Sequence, residues 1–202
     1  MRSLVGSTLA FAGTILGLLA APVAEGADRA FMVTTGTTAQ PIGHYEFCRR
    51  YADECVERSP AMTRTHLTPA LWNELVAVNA SVNLTIKAAT DDEIFGSSEY
   101  WAYPDVAGDC EDLVLLKRRE LIEKGWPAGT LLITVARQSN GEGHAVLTVL
   151  TDRGDLILDN LQPRVLVWNE TEYSYVKRQS EIYAGGWMAI DDARMTSVGS
   201  TR

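Results

Sequence analysis

Apolar and polar positions along this chain repeat with a helical period in its middle and a strand period after it, and the change of period falls at clear punctuation. Thr68-Pro69-Ala70-Leu71-Trp72 starts with a Thr cap and Pro at the first helical position. Apolar residues at 71, 72, 75, 76 and 78 then predict a core-packed helix running on through Val82 and Asn83. Asn79 and Asn83 share one face of it, either as satisfied core amides or as amides lining a site. A second amphipathic helix is predicted over residues 113–124, apolar at 113, 114, 116 and 121 with basic residues between, and stopped by Gly125 and Pro127. The period then shortens to two. Residues 130–137, 144–151 and 155–159 read as strands separated by turns at 139–143 and 152–154, and residues 166–168 and 173–176 add two more. Consecutive strands of this kind predict an antiparallel meander, and a helix followed by such a sheet predicts an α+β domain.

The remaining segments are less regular. Residues 28–43, rich in Thr, Gly and Ala, read as an extended lead-in or a mobile arm. Residues 90–107 form a long acidic and aromatic loop, with Phe95, Tyr100, Trp101 and Tyr103, that leads straight into Cys110. At the N-terminus, Arg2 precedes the apolar run 4–21 and the small residues around Ala24 and Ala27, which is the pattern of a secretory signal over residues 1–24. A signal anchor is the competing reading, because the run is almost long enough to span a bilayer. The 202-residue length and 46% apolar content suit one domain over residues 25–202. Its expected location is periplasmic or secreted, with no membrane span after leader removal.

The net charge of −8 becomes more negative by one when Arg2 leaves with the leader. Such acidity argues against nucleic acid and anionic membranes as partners. Three cysteines in an oxidising compartment predict one disulfide and one free thiol, and Cys48 with Cys55 is the natural pair. On a continuous helix their Cα atoms would be roughly 10 Å apart, beyond disulfide reach, so a bridge requires a turn between them.

The leftover thiol, Cys110, lies in Gly108-Asp109-Cys110-Glu111-Asp112 at the start of the second helix. Unpaired N–H groups and the positive end of the helix dipole favour a thiolate there. The carboxylates around it oppose one, so the thiol needs a partner. His144 opens one strand and Asp159 closes the next, which puts both near one sheet edge and makes a Cys–His–Asp set the candidate. Direct opposition of the two needs a turn centred between 151 and 152. The stronger turn signal lies near 153, which places Asp159 nearer Leu147 and calls for a bulge or a longer loop. The backbone N–H of Cys110 is a candidate oxyanion donor. An inert buried cysteine and a hydrogen-bonded strand-end histidine are the competing readings. His44, His66 and His144 show no close ligand spacing, which disfavours a histidine-ligated metal.

The ordered set Gly108–Asp112, then Gly143-His144-Ala145-Val146-Leu147, then Leu158-Asp159-Asn160, resembles the bacterial transglutaminase-like cysteine peptidases over roughly residues 41–187. That family includes LapG-type periplasmic proteases acting on surface adhesins. The resemblance implies a papain-like, transglutaminase-type core with the nucleophile at the N-terminus of a central helix packed on an antiparallel sheet. It assigns Cys110 as nucleophile, His144 as base and Asp159 as orienting acid, and by the same analogy Trp101 is a second oxyanion donor. It also implies calcium beside the cysteine, with Asp109 and Glu111 as the matching acids, although the chemistry itself requires no cofactor. The implied substrate is a cell-surface or periplasmic protein. A transglutaminase or deamidase would use the same triad, and a non-catalytic calcium-binding adaptor would leave the thiol silent.

Overall fold

The computed structural model describes residues 30–57 and 64–194, and the leader expected over residues 1–24 lies outside them. Helix α2, Pro69–Thr85, begins where the cap and proline place it, with the Thr68 side chain accepting from the Leu71 N–H at 3.3 Å. Helix α4, Cys110–Glu123, buries Leu113, Val114, Leu115 and Leu121 and ends ahead of Gly125. These two helices pack on one face of a seven-stranded sheet. The shared core includes Leu75, Val82, Leu131, Ile133, Leu147 and Leu158. A smaller cluster with Met32, Val146, Ile157 and Tyr175 covers the other face. Coverage on both sides explains why the central strand β5, Gly143–Thr151, is buried from His144 to its end.

The sheet departs from the expected meander. Strands β4 (Leu131–Arg137), β5, β6 (Gly154–Leu158) and β7 (Leu166–Val167) do follow one another as antiparallel neighbours. Strand β8, Ser174–Gln179, instead returns to the free edge of β4. Strands β9, Trp187–Ile190, and β1, Thr34–Thr38, complete that side. β7 has only two residues and offers a short ladder, whereas the buried edge of β4 must satisfy its whole row of backbone groups. The lead-in segment is therefore part of the sheet, and it is followed by helix α1, Ile42–Arg50, which buries His44 and Phe47.

Within the expected loop 90–107, helix α3, Asp91–Phe95, is started by a Thr90–Glu93 capping box. A two-stranded parallel pair, β2 (Lys87–Ala88) with β3 (Ala107–Gly108), then ties the end of α2 to the residues just before Cys110. Cys48 and Cys55 are disulfide-bonded with Cα atoms 5.6 Å apart, because α1 ends at Arg50 and a 3-10 turn, Ala52–Cys55, reverses the chain. No helix among the described residues is long and apolar enough to cross a membrane.

Candidate active site

Cys110 is the first residue of α4, half-buried and the only free cysteine. Its backbone N–H is therefore one of the helix's unpaired first-turn donors. Its thiol donates to Glu111 Oε2 at 2.8 Å, and the Ala145 N–H of β5 also bonds the sulfur. Burial first, then the Glu111 charge and hydrogen bond, push the thiol well above its ordinary value, with only the Ala145 N–H opposing. Gly108 lets the chain approach the helix here: a Cβ on it would sit 2.8 Å from Asp112 Oδ2.

His144 and Asp159 meet. His144 Nε2 lies 2.8 Å from Asp159 Oδ1, and both side chains are buried. The hairpin pairs Leu147 with Leu158 and Thr151 with Gly154, which is the register that places Asp159 beyond direct opposition to His144. No bulge is needed. Extending the ladder by one step puts Asp159 opposite Val146, so His144 is its diagonal neighbour on the same face, within reach of an imidazole. Asp159 is held at further points: the Leu161 N–H bonds Oδ1 at 3.0 Å, the Tyr173 hydroxyl donates to Oδ2 at 2.5 Å, and Asn83 Nδ2 donates to the Asp159 carbonyl at 2.7 Å. Burial alone would raise this carboxyl, but those hydrogen bonds, His144 foremost, outweigh it and leave it below its ordinary value.

Cys110 and His144 line one cavity of about 310 Å³ with Gly108 and Asn160. A second, of about 440 Å³, continues past His144 along Trp101, Glu111 and Lys177. Cys110 and His144 thus face a common cavity, while Asp159 lies behind His144 and lines neither. Trp101 is fully buried, and its indole N–H has no hydrogen-bond partner among the described residues.

The acids form a second feature of the site. Asp109 occupies the N-cap position of α4 but makes no side-chain cap bond. One oxygen from each of Asp91, Asp109 and Asp112 falls within 4.8 Å of the others. Asp91 bonds the Tyr100 N–H, and Asp112 Oδ1 bonds the Ala102 N–H at 2.7 Å. That leaves Asp91 Oδ1, Asp109 Oδ1 and Asp112 Oδ2 buried without a hydrogen-bond partner among the described residues. Burial, then neighbouring charge, push Asp112 up to about 7 and Glu111 up to about 8. Three orphaned carboxylate oxygens in one buried place fit a hard divalent cation. Of the two expected metal acids, Asp109 belongs to this trio, while Glu111 contacts Asp109 and the thiol beside it.

The other histidines are elsewhere. His44 is buried among Trp101, Trp187, Gln40 and Gln179, and His66 pairs with Asp152. Sequence reasoning did not find Asp91, Tyr173 or Lys117 at the site. Asp91 lies in the segment read as an irregular loop, Tyr173 opens a segment read as a strand but with nothing local to name its partner, and Lys117 sits among the basic residues of an amphipathic helix.

A family model described as bacterial transglutaminase-like cysteine proteinase matches residues 34–195. Among solved structures, calcium-bound LapG from Legionella pneumophila is similar, with a TM-score of 0.51 and 29% identity over 61% of this chain and 71% of that one. EGTA-treated LapG from the same organism has a TM-score of 0.50 and 30% identity over 66% and 76%. No curated protein matches.

Proposed function

Because the chain belongs to the bacterial transglutaminase-like cysteine proteinase family and is a cysteine peptidase, we propose that it cleaves peptide bonds of an exported or cell-surface protein through Cys110, His144 and Asp159. The observation that carries this reading is the buried His144–Asp159 hydrogen bond at the wall of the cavity that Cys110 also lines. Its proposed location is the periplasm or the exterior.

In this scheme His144 takes the thiol proton and the Cys110 sulfur attacks the carbonyl carbon, forming a C–S bond and an oxyanion. The Cys110 N–H faces that oxyanion, with the Trp101 indole N–H as the second donor. Collapse breaks the C–N bond while His144 protonates the leaving amine. Water, deprotonated by His144, then attacks the thioester, releasing the acid and restoring the thiol. Asp159 fixes the imidazole tautomer and steadies its charged form.

Asp91, Asp109 and Asp112, with Glu111 adjacent, are the residues that would hold calcium. Bound there, the ion supplies positive charge among the carboxylates that otherwise oppose a thiolate. The test is the product formed from a mixture of secreted and surface proteins. Peptide cleavage that disappears in Cys110→Ala supports the scheme. Unchanged cleavage by that variant refutes it, and a one-unit mass gain or an amine adduct without cleavage would instead make the enzyme a deamidase or transglutaminase.

A further inference from the structure

Two of the aspartates that would hold calcium also hold the chain on either side of Trp101. Asp91, at the start of α3, accepts from the Tyr100 N–H, and Asp112, in the first turn of α4, accepts from the Ala102 N–H at 2.7 Å. Between them Arg50, the last residue of α1, donates to the Trp101 carbonyl at 2.6 Å. Backbone groups of three successive residues are thus fixed by charged side chains from three helices. Glu99, just before them, has a φ of 60°, the left-handed region that a residue with a side chain rarely adopts unless its surroundings hold it there. Trp101, the residue at the centre of the clamp, is buried and lines the cavity that runs past His144 and Glu111.

Each clamping carboxylate spends only one oxygen on the backbone. The other oxygens, Asp91 Oδ1 and Asp112 Oδ2, are buried without a hydrogen-bond partner among the described residues, and the two side chains belong to residues only 4% and 0% exposed. Asp91, Asp109 and Asp112 each bring one oxygen within 4.8 Å of the others. Carboxylates this close repel one another, and an opposite charge among them removes the repulsion. Because Asp91 stands on α3 and Asp112 on α4, that repulsion pulls on both ties to the 100–102 segment.

We infer that Asp91 and Asp112 are positioning residues that join the cation site to the cleft: with calcium held by Asp91, Asp109 and Asp112, the backbone-bonded oxygens of Asp91 and Asp112 lock residues 100–102 and so fix Trp101 at the cleft wall. Without the ion the carboxylates part and the segment loosens. The inference rests on the reading of these three aspartates as the calcium site, and it holds whichever reaction the cleft performs.

The test is amide and indole nitrogen relaxation, measured by NMR on the isotope-labelled full chain after EGTA treatment and again with saturating calcium, with calcium binding followed separately by calorimetry. Of the five tryptophan indole signals, the one absent from Trp101→Phe belongs to Trp101. Without calcium the Tyr100 and Ala102 amides and the Trp101 indole are expected to be mobile, as order parameters below about 0.6 or as microsecond-to-millisecond dispersion, and calcium is expected to bring them near about 0.85 without dispersion. The indoles of Trp126, beyond the end of α4, and Trp168, in the core cluster on the other face of the sheet, should be equally rigid in both states. Asp112→Ala, or Asp91→Ala if that variant does not fold, should leave the segment mobile even with calcium. Asp109→Asn gives up a ligand but has no hydrogen bond to the segment among the described residues, so it should need more calcium and reach the same rigidity; it carries the test if neither alanine variant folds. Calcium binding that leaves the mobility of the segment unchanged overturns the link alone. Equal tightening at Trp126 and Trp168 also overturns it, as does a rigid segment in the alanine variant or a mobile one in saturated Asp109→Asn. If calorimetry shows no calcium binding, the calcium reading itself fails and the link falls with it.

Discussion

Replacing Gly43 by Ala adds one methyl group in the first turn of α1, where such a change ordinarily stabilises a helix by up to about 1 kcal/mol. Here the new Cβ would lie against Cδ1 of Trp101, 2.5 Å from Nε1 of the same ring and 2.9 Å from the Glu99 carbonyl oxygen. Carbon contacts settle at about 3.5–4.0 Å, so the ring edge is overlapped by about 1 Å. The indole has nowhere to go. His44 and Trp187 stand edge-on to it at 5.4 and 6.4 Å, and Arg50 holds the Trp101 carbonyl at 2.6 Å. Overpacking of this kind costs about 1–3 kcal/mol, which exceeds the propensity gain. The expected net loss is about 1–2 kcal/mol, or about 2–8 °C in Tm for a chain of this size. Thermal unfolding followed by circular dichroism measures it. The cause is isolated by a double-mutant cycle with Trp101→Leu, in which the penalty of Gly43→Ala should fall to the part left by the Glu99 carbonyl. A Gly43→Ala variant that melts at or above the wild type, or that carries the same penalty without the indole, refutes the argument.

Tyr173→Phe keeps the ring against His144 but removes the hydroxyl donated to Asp159, a charge-assisted bond of about 1.5 kcal/mol or more. It should lower kcat about tenfold with little change in KM. Since the Asp159 carboxyl is held below its ordinary value in the fold, its stabilisation is present above the unfolded value and is lost as pH falls through the folded one. Asp159→Asn should therefore flatten the loss of stability measured by urea titration below about pH 4. The Cys48–Cys55 bridge closes an eight-residue loop, so changing both cysteines to Ser should cost about 2.5 kcal/mol in a denaturant titration. The hairpin it closes also supplies Glu54 to the Tyr103 hydroxyl and to Arg118, so hydrolysis should slow as well. Calcium at about a hundred times its Kd should stabilise the protein by about 2.7 kcal/mol. Asp112→Asn should remove most of that gain, and an equal response in the variant would show that the ion binds elsewhere.

Several features were legible in the residues because they depend on near neighbours. The Thr68 cap with Pro69, the amphipathic stripe that makes Cys110 open a helix, and the alternating strands with their turns are all local. The Cys48–Cys55 pair followed from counting thiols, and the grouping of Cys110, His144 and Asp159 came from an ordered resemblance to a family. Tertiary structure decided what depends on distant contact. It returned β8 to the edge of β4 and brought β1 to β9, because a buried edge must satisfy its backbone wherever a partner lies in sequence. It set the hairpin one pairing step short of the register that had called for a bulge, so that Asp159 falls opposite Val146 and His144 reaches it diagonally. It also brought Asp91 to Asp109 and Asp112, and Tyr173 to Asp159. In each case the side chain's partner lies on another element, and only packing of helix on sheet brings the two within reach.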